Sequence, residues 1–171
     1  MITNSDLVEE FLSHLQHSKR YSAHTLQAYK RDLQRYIAGL EQVCAEADAK
    51  DIQKFISRLH HKQLTAKSIQ RNLSAVRSFY EYLLKRKIIS VNPARLVSAP
   101  KAKRNLPKVL DADKALQLLD LADSNDDRTI SDQAILELFY GSGLRLSEVV
   151  NLRIADLDLN QGFVNVLGKG N

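Results

Sequence analysis

The stretch GSGLRLSEVV, residues 141–150, sets Arg145 just after a Gly-Ser-Gly break and three residues ahead of Glu148. A guanidinium is a rigid fork of N–H donors, and in the first turn of a helix it joins backbone N–H groups that already favour an anion. A phosphate site is the chemistry this suggests. Glu148 fits two roles, bracing the guanidinium for a ligand or closing a purely structural salt bridge. Further on, Gly168-Lys169-Gly170 puts a lysine in a glycine turn. Alone, that reads as a solvated loop; beside Arg145 it adds a second cation to the same chemistry.

Composition limits the classes that remain. The chain has 171 residues, 44% of them hydrophobic, which is enough for one ordinary domain or two small ones. It has no apolar run of 18 residues, and the N-terminus MITNSDLVEE carries acids where a secretion signal carries bases, so a cytoplasmic protein without a membrane partner is expected. The single cysteine, Cys44, has no disulfide partner in the chain and no metal-ligand company, which argues against redox and metal chemistry. Net charge is +5, but its distribution says more. Residues 1–61 hold 8 bases and 8 acids, residues 62–108 hold 12 and 1, and residues 109–171 hold 5 and 11. Twelve bases against Glu81 alone repel one another unless a polyanion is near, although a solvated charged face has the same composition.

The elements that must position these residues follow from periodicity. All three prolines, Pro93, Pro100 and Pro107, fall in VNPARLVSAPKAKRNLPKVL, which predicts an extended linker over 93–109 between domains at 1–92 and 110–171. Its Lys101, Lys103 and Arg104 could track a phosphate backbone. The first domain reads as four helices, with apolar stripes at Leu7, Val8, Phe11, Leu12 and Leu15; at Leu26, Tyr29, Leu33, Tyr36, Ile37 and Leu40; at Ile52, Phe55, Ile56 and Leu59; and at Ile69, Leu73, Val76, Tyr80 and Leu83. Opposite the fourth stripe lie Lys67, Arg71, Ser74 and Ser78, and opposite the second lie His24, Arg31 and Arg35. Small residues allow close approach while Lys and Arg reach phosphates or guanine edges, so these faces suit duplex DNA. A solvent-facing helix could look the same. Tyr29, Tyr36 and Tyr80 lie on apolar stripes and are read as packing residues.

Beyond the linker, Asp111 is a reasonable N-cap for a short helix carrying Ala115, Leu118, Leu119 and Leu121. A longer helix over 130–140 stops at Gly141. Leu144, Leu146, Val149, Val150 and Leu152 point in several directions, which predicts a short helix buried on most sides. Phe163 to Leu167 reads as a strand leading to the Lys169 turn.

GSGLRLSEVVNLRIADLDL followed by VNVLGKGN closely resembles the start of the catalytic domain of the tyrosine site-specific recombinases, especially the bacterial Xer type. SAHTLQAYKRDLQRY and SIQRNLSAVRSFYEYL are similar to that family's core-binding domain, and VNPARLVSAPKAKRNLP to its linker. The wording favours the XerC branch over the XerD branch. The resemblance implies a mainly α chain: a four-helix SAM-like core-binding bundle, a linker, and a truncated α+β start of the catalytic domain with a partial β-hairpin. It implies that Arg145 clamps the scissile phosphate, that Glu148 supports it, and that Lys169 protonates the departing 5′-oxygen. It implies no metal or other cofactor, and a phosphotyrosine intermediate that conserves bond energy for religation. In the family the second arginine and the tyrosine nucleophile follow the lysine hairpin. No tyrosine here matches the nucleophile's position, so these residues are expected to bind duplex DNA without cleaving it. The implied partners are a roughly palindromic DNA site and a second Xer recombinase, XerD-like, in a tetrameric synapse. A non-catalytic architectural DNA-binding protein, a helical protein-interaction module and a mobile-element integrase remain alternatives.

Overall fold

The computed structural model describes residues 3–101, 111, 113, 114, 117, 127–166 and 168. The chain divides into two compact units, Met1–Asn105 and Leu106–Asn171. The first contains α1 (Asn4–Lys19), α2 (Ala23–Ile37), α3 (Ala49–His61) and α4 (Ala66–Lys85), with a turn of 3₁₀ helix at Cys44–Glu46.

Each of the four helices starts where the sequence offers a side-chain cap. Thr3 accepts from the Asp6 N–H at 3.2 Å while the Asp6 carboxylate takes the Thr3 N–H at 2.8 Å. Asp48 and Asp51 repeat this reciprocal box at α3, while Ser22 and Thr65 each accept one N–H, from Thr25 and Ser68, at the starts of α2 and α4. Such caps satisfy orphan N–H groups and are typically worth about 1 kcal/mol each. The helices end on left-handed residues or tight turns; Arg20, Gln63 and Lys87 all have positive φ.

The apolar stripes meet in one core. Leu7, Val8, Phe11, Leu12 and Leu15 of α1 and Ile52, Phe55, Ile56 and Leu59 of α3 are all buried, as expected. In α2, Leu33 and Tyr36 are buried while Leu26, Tyr29 and Ile37 pack at the margin. The α4 stripe is wider than its periodicity suggested, because Asn72, Ala75, Phe79 and Tyr82 are buried beside it. Phe11 meets Phe79 edge-on at 5.7 Å and Tyr36 meets Phe55 at 5.1 Å, arrangements that suit the ring quadrupoles. Cys44 is buried in the same core, and burial pushes its thiol up to about 12, so it stays protonated and unreactive.

Two phenols close the centre of the bundle. The Tyr36 and Tyr80 hydroxyls lie 2.6 Å apart, and Tyr80 donates to the Cys44 carbonyl at 3.2 Å. Tyr36 is therefore the donor within the pair. Tyr80→Phe removes the acceptor of one bond and the donor of another, leaving the buried Tyr36 hydroxyl without a partner, and should cost about 1–3 kcal/mol. Tyr36→Phe leaves Tyr80 its carbonyl and should cost less than half as much. Urea titrations of the two variants check the order; equal losses would refute this direction of donation.

Residues 92–97 pack against α4. Ala94 and Val97 are buried, Arg77 donates from Nε to the Ala94 carbonyl at 3.1 Å and from Nη2 to the Val97 carbonyl, and Asn92 donates to the Arg77 carbonyl at 3.2 Å. Gln70 reaches the Pro100 carbonyl at 2.9 Å. Arg77, one of the twelve bases of the middle segment, is thus engaged in holding backbone.

In the second unit α5 spans Asp127–Ser142 and α6 spans Leu146–Val150; β1 (Leu157–Asp158) and β2 (Phe163–Val164) pair antiparallel, Leu157 opposite Val164 and Asp158 opposite Phe163. The Asp158 carboxylate accepts the N–H groups of Asn160 and Gln161, and Gly162 supplies the positive φ that returns the chain to β2. The partial hairpin expected here is present. β2 ends at Val164, short of the expected strand over 163–167, and the turn that joins β1 to β2 lies at 159–162; the turn expected around Lys169 lies outside the described residues. At the start of the unit the Asp111 carboxylate accepts the Asp113 N–H at 3.4 Å; Ala115, Leu118, Leu119 and Leu121 are outside the described residues. The expectation that α6 is buried on most sides is corrected. Leu146 and Val150 are exposed, and none of α6 is buried. Among the described residues, α5, a five-residue helix and a two-residue ladder supply too little apolar surface to close a core around it.

Candidate nucleic-acid interface

α2 and α4 lie side by side in the first unit, and a cleft of about 350 Å³ runs between them. His24 and Thr25 line it from α2, and Arg71, Ser74 and Ala75 line it from α4. Three of the candidate DNA-binding residues, His24, Arg71 and Ser74, are therefore together. Lys67 and Arg31 are exposed on the same two helices. The cleft is small-walled beside its cation, since Ala28, Ser74 and Ala75 leave backbone close to the surface.

Its floor holds a residue that periodicity did not single out. Asp32 is 1% exposed and takes a two-point ion pair from Arg71, Nε to Oδ2 at 2.9 Å and Nη2 to Oδ1 at 3.1 Å. Arg35 approaches the same carboxylate at 3.6 Å and donates to the Asn72 Oδ1 at 3.3 Å, while the Asn72 amide donates to the Ser68 carbonyl at 2.9 Å. Arg35 is thus turned partly inward, as a brace between helices. A buried carboxylate needs such partners, because an uncompensated charge in the interior costs several kcal/mol. Both Asp32 and Asn72 could have been found from the sequence: Asp32 is three residues after Tyr29 and four before Tyr36, Asn72 three after Ile69 and four before Val76. A polar residue in an apolar stripe must have a partner.

Ser78 lies elsewhere. It lines a second cleft, of about 450 Å³, with Lys19, Lys85 and Arg95 around it. Lys101 is exposed just after the held Pro100, and Lys103 and Arg104 lie outside the described residues.

In the second unit Arg145 occupies the N-cap of α6 with extended backbone rather than the first turn proper. Glu148 accepts both its N–H, at 2.8 Å, and its guanidinium Nη1, at 2.8 Å. One carboxylate therefore fixes backbone and side chain together. The backbone N–H and then the guanidinium hold the Glu148 carboxyl below the usual carboxylate range, so it is charged at neutral pH. The Glu148 side chain is 14% exposed and that of Arg145 is 70% exposed, so the brace is inside and the cation outside. Lys169, the candidate second cation, lies outside the described residues. No group of three or more His, Cys, Asp or Glu suited to a metal occurs among the described residues, and no helix among them is long and apolar enough to cross a membrane.

Comparison with known proteins adds to this geometry. The family model of the phage integrase N-terminal SAM-like domain matches residues 8–87, and that of the phage integrase family matches residues 108–171. The tyrosine recombinase XerC of Xanthomonas campestris pv. campestris strain B100 is 50% identical over 168 residues, 95% of this chain and 52% of its own length. XerC of Pseudomonas aeruginosa strain LESB58 is 46% identical over 168 residues, 96% of this chain and 55% of its own. The chain spans about half the length of these relatives. Among solved structures, a lambda integrase tetramer bound to a Holliday junction aligns with TM-score 0.74 at 18% identity, over 97% of this chain and 47% of that one. The Tn1549 transposon integrase in complex with circular intermediate DNA aligns with TM-score 0.68 at 18% identity, over 93% and 52%. At that identity the likeness is one of fold.

Proposed function

This chain belongs to the tyrosine recombinases of the phage integrase family, and from that premise we propose that its protein performs site-specific DNA recombination, cutting and rejoining duplex DNA through a 3′-phosphotyrosine intermediate. The process served is chromosome dimer resolution at cell division, on a roughly palindromic site, with a XerD-like recombinase as the second subunit of a tetrameric synapse. Identity of 46–50% to XerC proteins, against 18% to the phage and transposon integrases, supports the Xer assignment over a mobile element.

The observation that carries the reading is the Arg145–Glu148 pair, an outward guanidinium held from within at 2.8 Å. As a nucleophile approaches the scissile phosphorus, charge gathers on the nonbridging oxygens, and a guanidinium already in place stabilises it without reorganising. Lys169 delivers a proton to the departing 5′-oxygen, help of a kind worth roughly 10²- to 10⁴-fold. The first unit holds the duplex, with Lys67 and Arg31 on phosphates and the α2–α4 cleft against a groove.

Titration of a labelled duplex with the 171-residue chain tests the binding half. Log affinity should fall linearly with log salt, by about 0.9 per phosphate neutralised, and Lys67→Ala and Arg31→Ala should each make the slope shallower by about one phosphate. Affinity indifferent to salt would support a protein-interaction module instead.

A further inference from the structure

The geometry of the α2–α4 cleft points to a division of labour, resting on the DNA-binding reading above: we propose that Arg71 reads a guanine edge in the major groove and that buried Asp32 is the positioning residue that aims it.

A guanidinium has two edges that can each offer a parallel pair of N–H groups. On Arg71 the side edge, Nε with Nη2, is taken by Asp32 at 2.9 and 3.1 Å. The end edge, Nη1 with the second Nη2 hydrogen, remains for a ligand, and the side chain is 52% exposed at the cleft. That edge matches the O6 and N7 acceptors of guanine.

Charge separates this reading from a phosphate contact. Asp32 lies against Arg71 and cancels much of its net charge, so a phosphate at the cleft would meet the carboxylate's repulsion along with the cation's attraction. A guanine edge is neutral and asks only for two donors in fixed positions. Asp32 itself is fixed: its side chain is 1% exposed, and Arg35 holds it from the other side while bonding Asn72 of α4. Exposed Lys67 and Arg31 have no carboxylate within ion-pair distance among the described residues, which suits them to phosphates. Ala28, Ser74 and Ala75 around Arg71 give a base edge room to approach.

Selection from a random-sequence duplex library with the 171-residue chain provides the test. The wild-type chain should enrich duplexes with a fixed G·C pair at one position. Arg71→Lys and Asp32→Asn should each lower discrimination at that position by roughly 10- to 100-fold, the worth of a bidentate pair, while preferences elsewhere persist. Replacing that guanine with 7-deazaguanine should weaken wild-type binding and leave Arg71→Lys unaffected. A cooperative melt of each variant separates lost aim from lost fold, and Arg71→Lys, altered at a half-exposed side chain, decides the matter if Asp32→Asn does not fold. Uniformly weaker binding with unchanged base preference in Arg71→Lys would overturn the inference and make Arg71 a phosphate contact. Relaxed preference in Arg71→Lys with full preference in a folded Asp32→Asn would overturn the role of Asp32. Retention of duplexes with no sequence enriched would overturn the inference alone, and failure of the wild-type chain to retain any duplex would overturn the DNA-binding reading along with it.

Discussion

Phe79→Ala is expected to destabilise the first unit by about 3–5 kcal/mol, while Phe163→Ala changes stability by no more than about 0.5 kcal/mol. The two residues are chemically identical and differ only in surroundings. Phe79 is 0% exposed, with Phe11 at 5.7 Å edge-on and Tyr80 at 5.5 Å, so truncation opens a cavity between α1 and α4 that neighbouring rings cannot collapse to fill. Phe163 is 62% exposed and loses little contact. A domain's whole stability is about 5–15 kcal/mol, so the first loss alone can bring the bundle near its unfolding midpoint at room temperature. Tyrosine fluorescence in a urea titration reports the right unit, since Tyr21, Tyr29, Tyr36, Tyr80 and Tyr82 lie in it and Tyr140 alone lies in the other. A loss below 1 kcal/mol for Phe79→Ala would mean that the aromatic contact between α1 and α4 is not the seat of the bundle's stability.

The same contrast explains what could be read ahead of the structure. In the bundle, periodicity, caps and burial agree: Leu7 to Leu15, Ile52 to Leu59 and Ile69 to Leu83 are spaced for a single face, and Thr3, Ser22, Asp48 and Thr65 mark the starts. Each level of the sequence points the same way, so four helices were legible. Periodicity cannot tell burial from apolarity, however, and α6 shows the difference. Leu146 and Val150 are as apolar as any core residue yet exposed, because burial depends on what packs against a helix and not on the helix alone. Among candidate site residues, the pairing of Arg145 with Glu148 followed from their spacing of three. The part that escaped was the floor of the α2–α4 cleft. Reading the two basic faces as free to meet DNA overlooked that Arg71 of α4 pairs with Asp32 of α2, a meeting across helices that no spacing within one helix encodes, whereas Arg35 and Asp32, three apart on α2, are a pair that spacing does offer.

The second large expectation concerns chemistry. Incubated with nicked suicide duplexes, the 171-residue chain should bind the DNA and yield no covalent adduct that survives denaturing electrophoresis. Arg145 can stabilise developing charge, a contribution worth roughly 10²–10³ in rate where a nucleophile exists, but it attacks nothing itself. The six tyrosines must therefore be considered one by one. Tyr36 and Tyr80 bond each other at 2.6 Å inside the core, where burial raises both phenols well above their ordinary pKa, so neither supplies phenolate to a phosphate. Tyr82 is buried, with its hydroxyl accepting from Arg86 at 2.9 Å, and Tyr29 packs at the core margin. Tyr21 and Tyr140 are exposed, and only Tyr140 shares a unit with Arg145. Tyr140 is on α5, five residues before Arg145 in the chain and ahead of the Arg145 motif, whereas the family's nucleophile follows the lysine hairpin. Tyr140→Phe should accordingly leave binding unchanged and the adduct still absent. An adduct with the wild-type chain that disappears in Tyr140→Phe would identify this tyrosine as a nucleophile, and the separation of binding from cleavage in these residues would have to be abandoned.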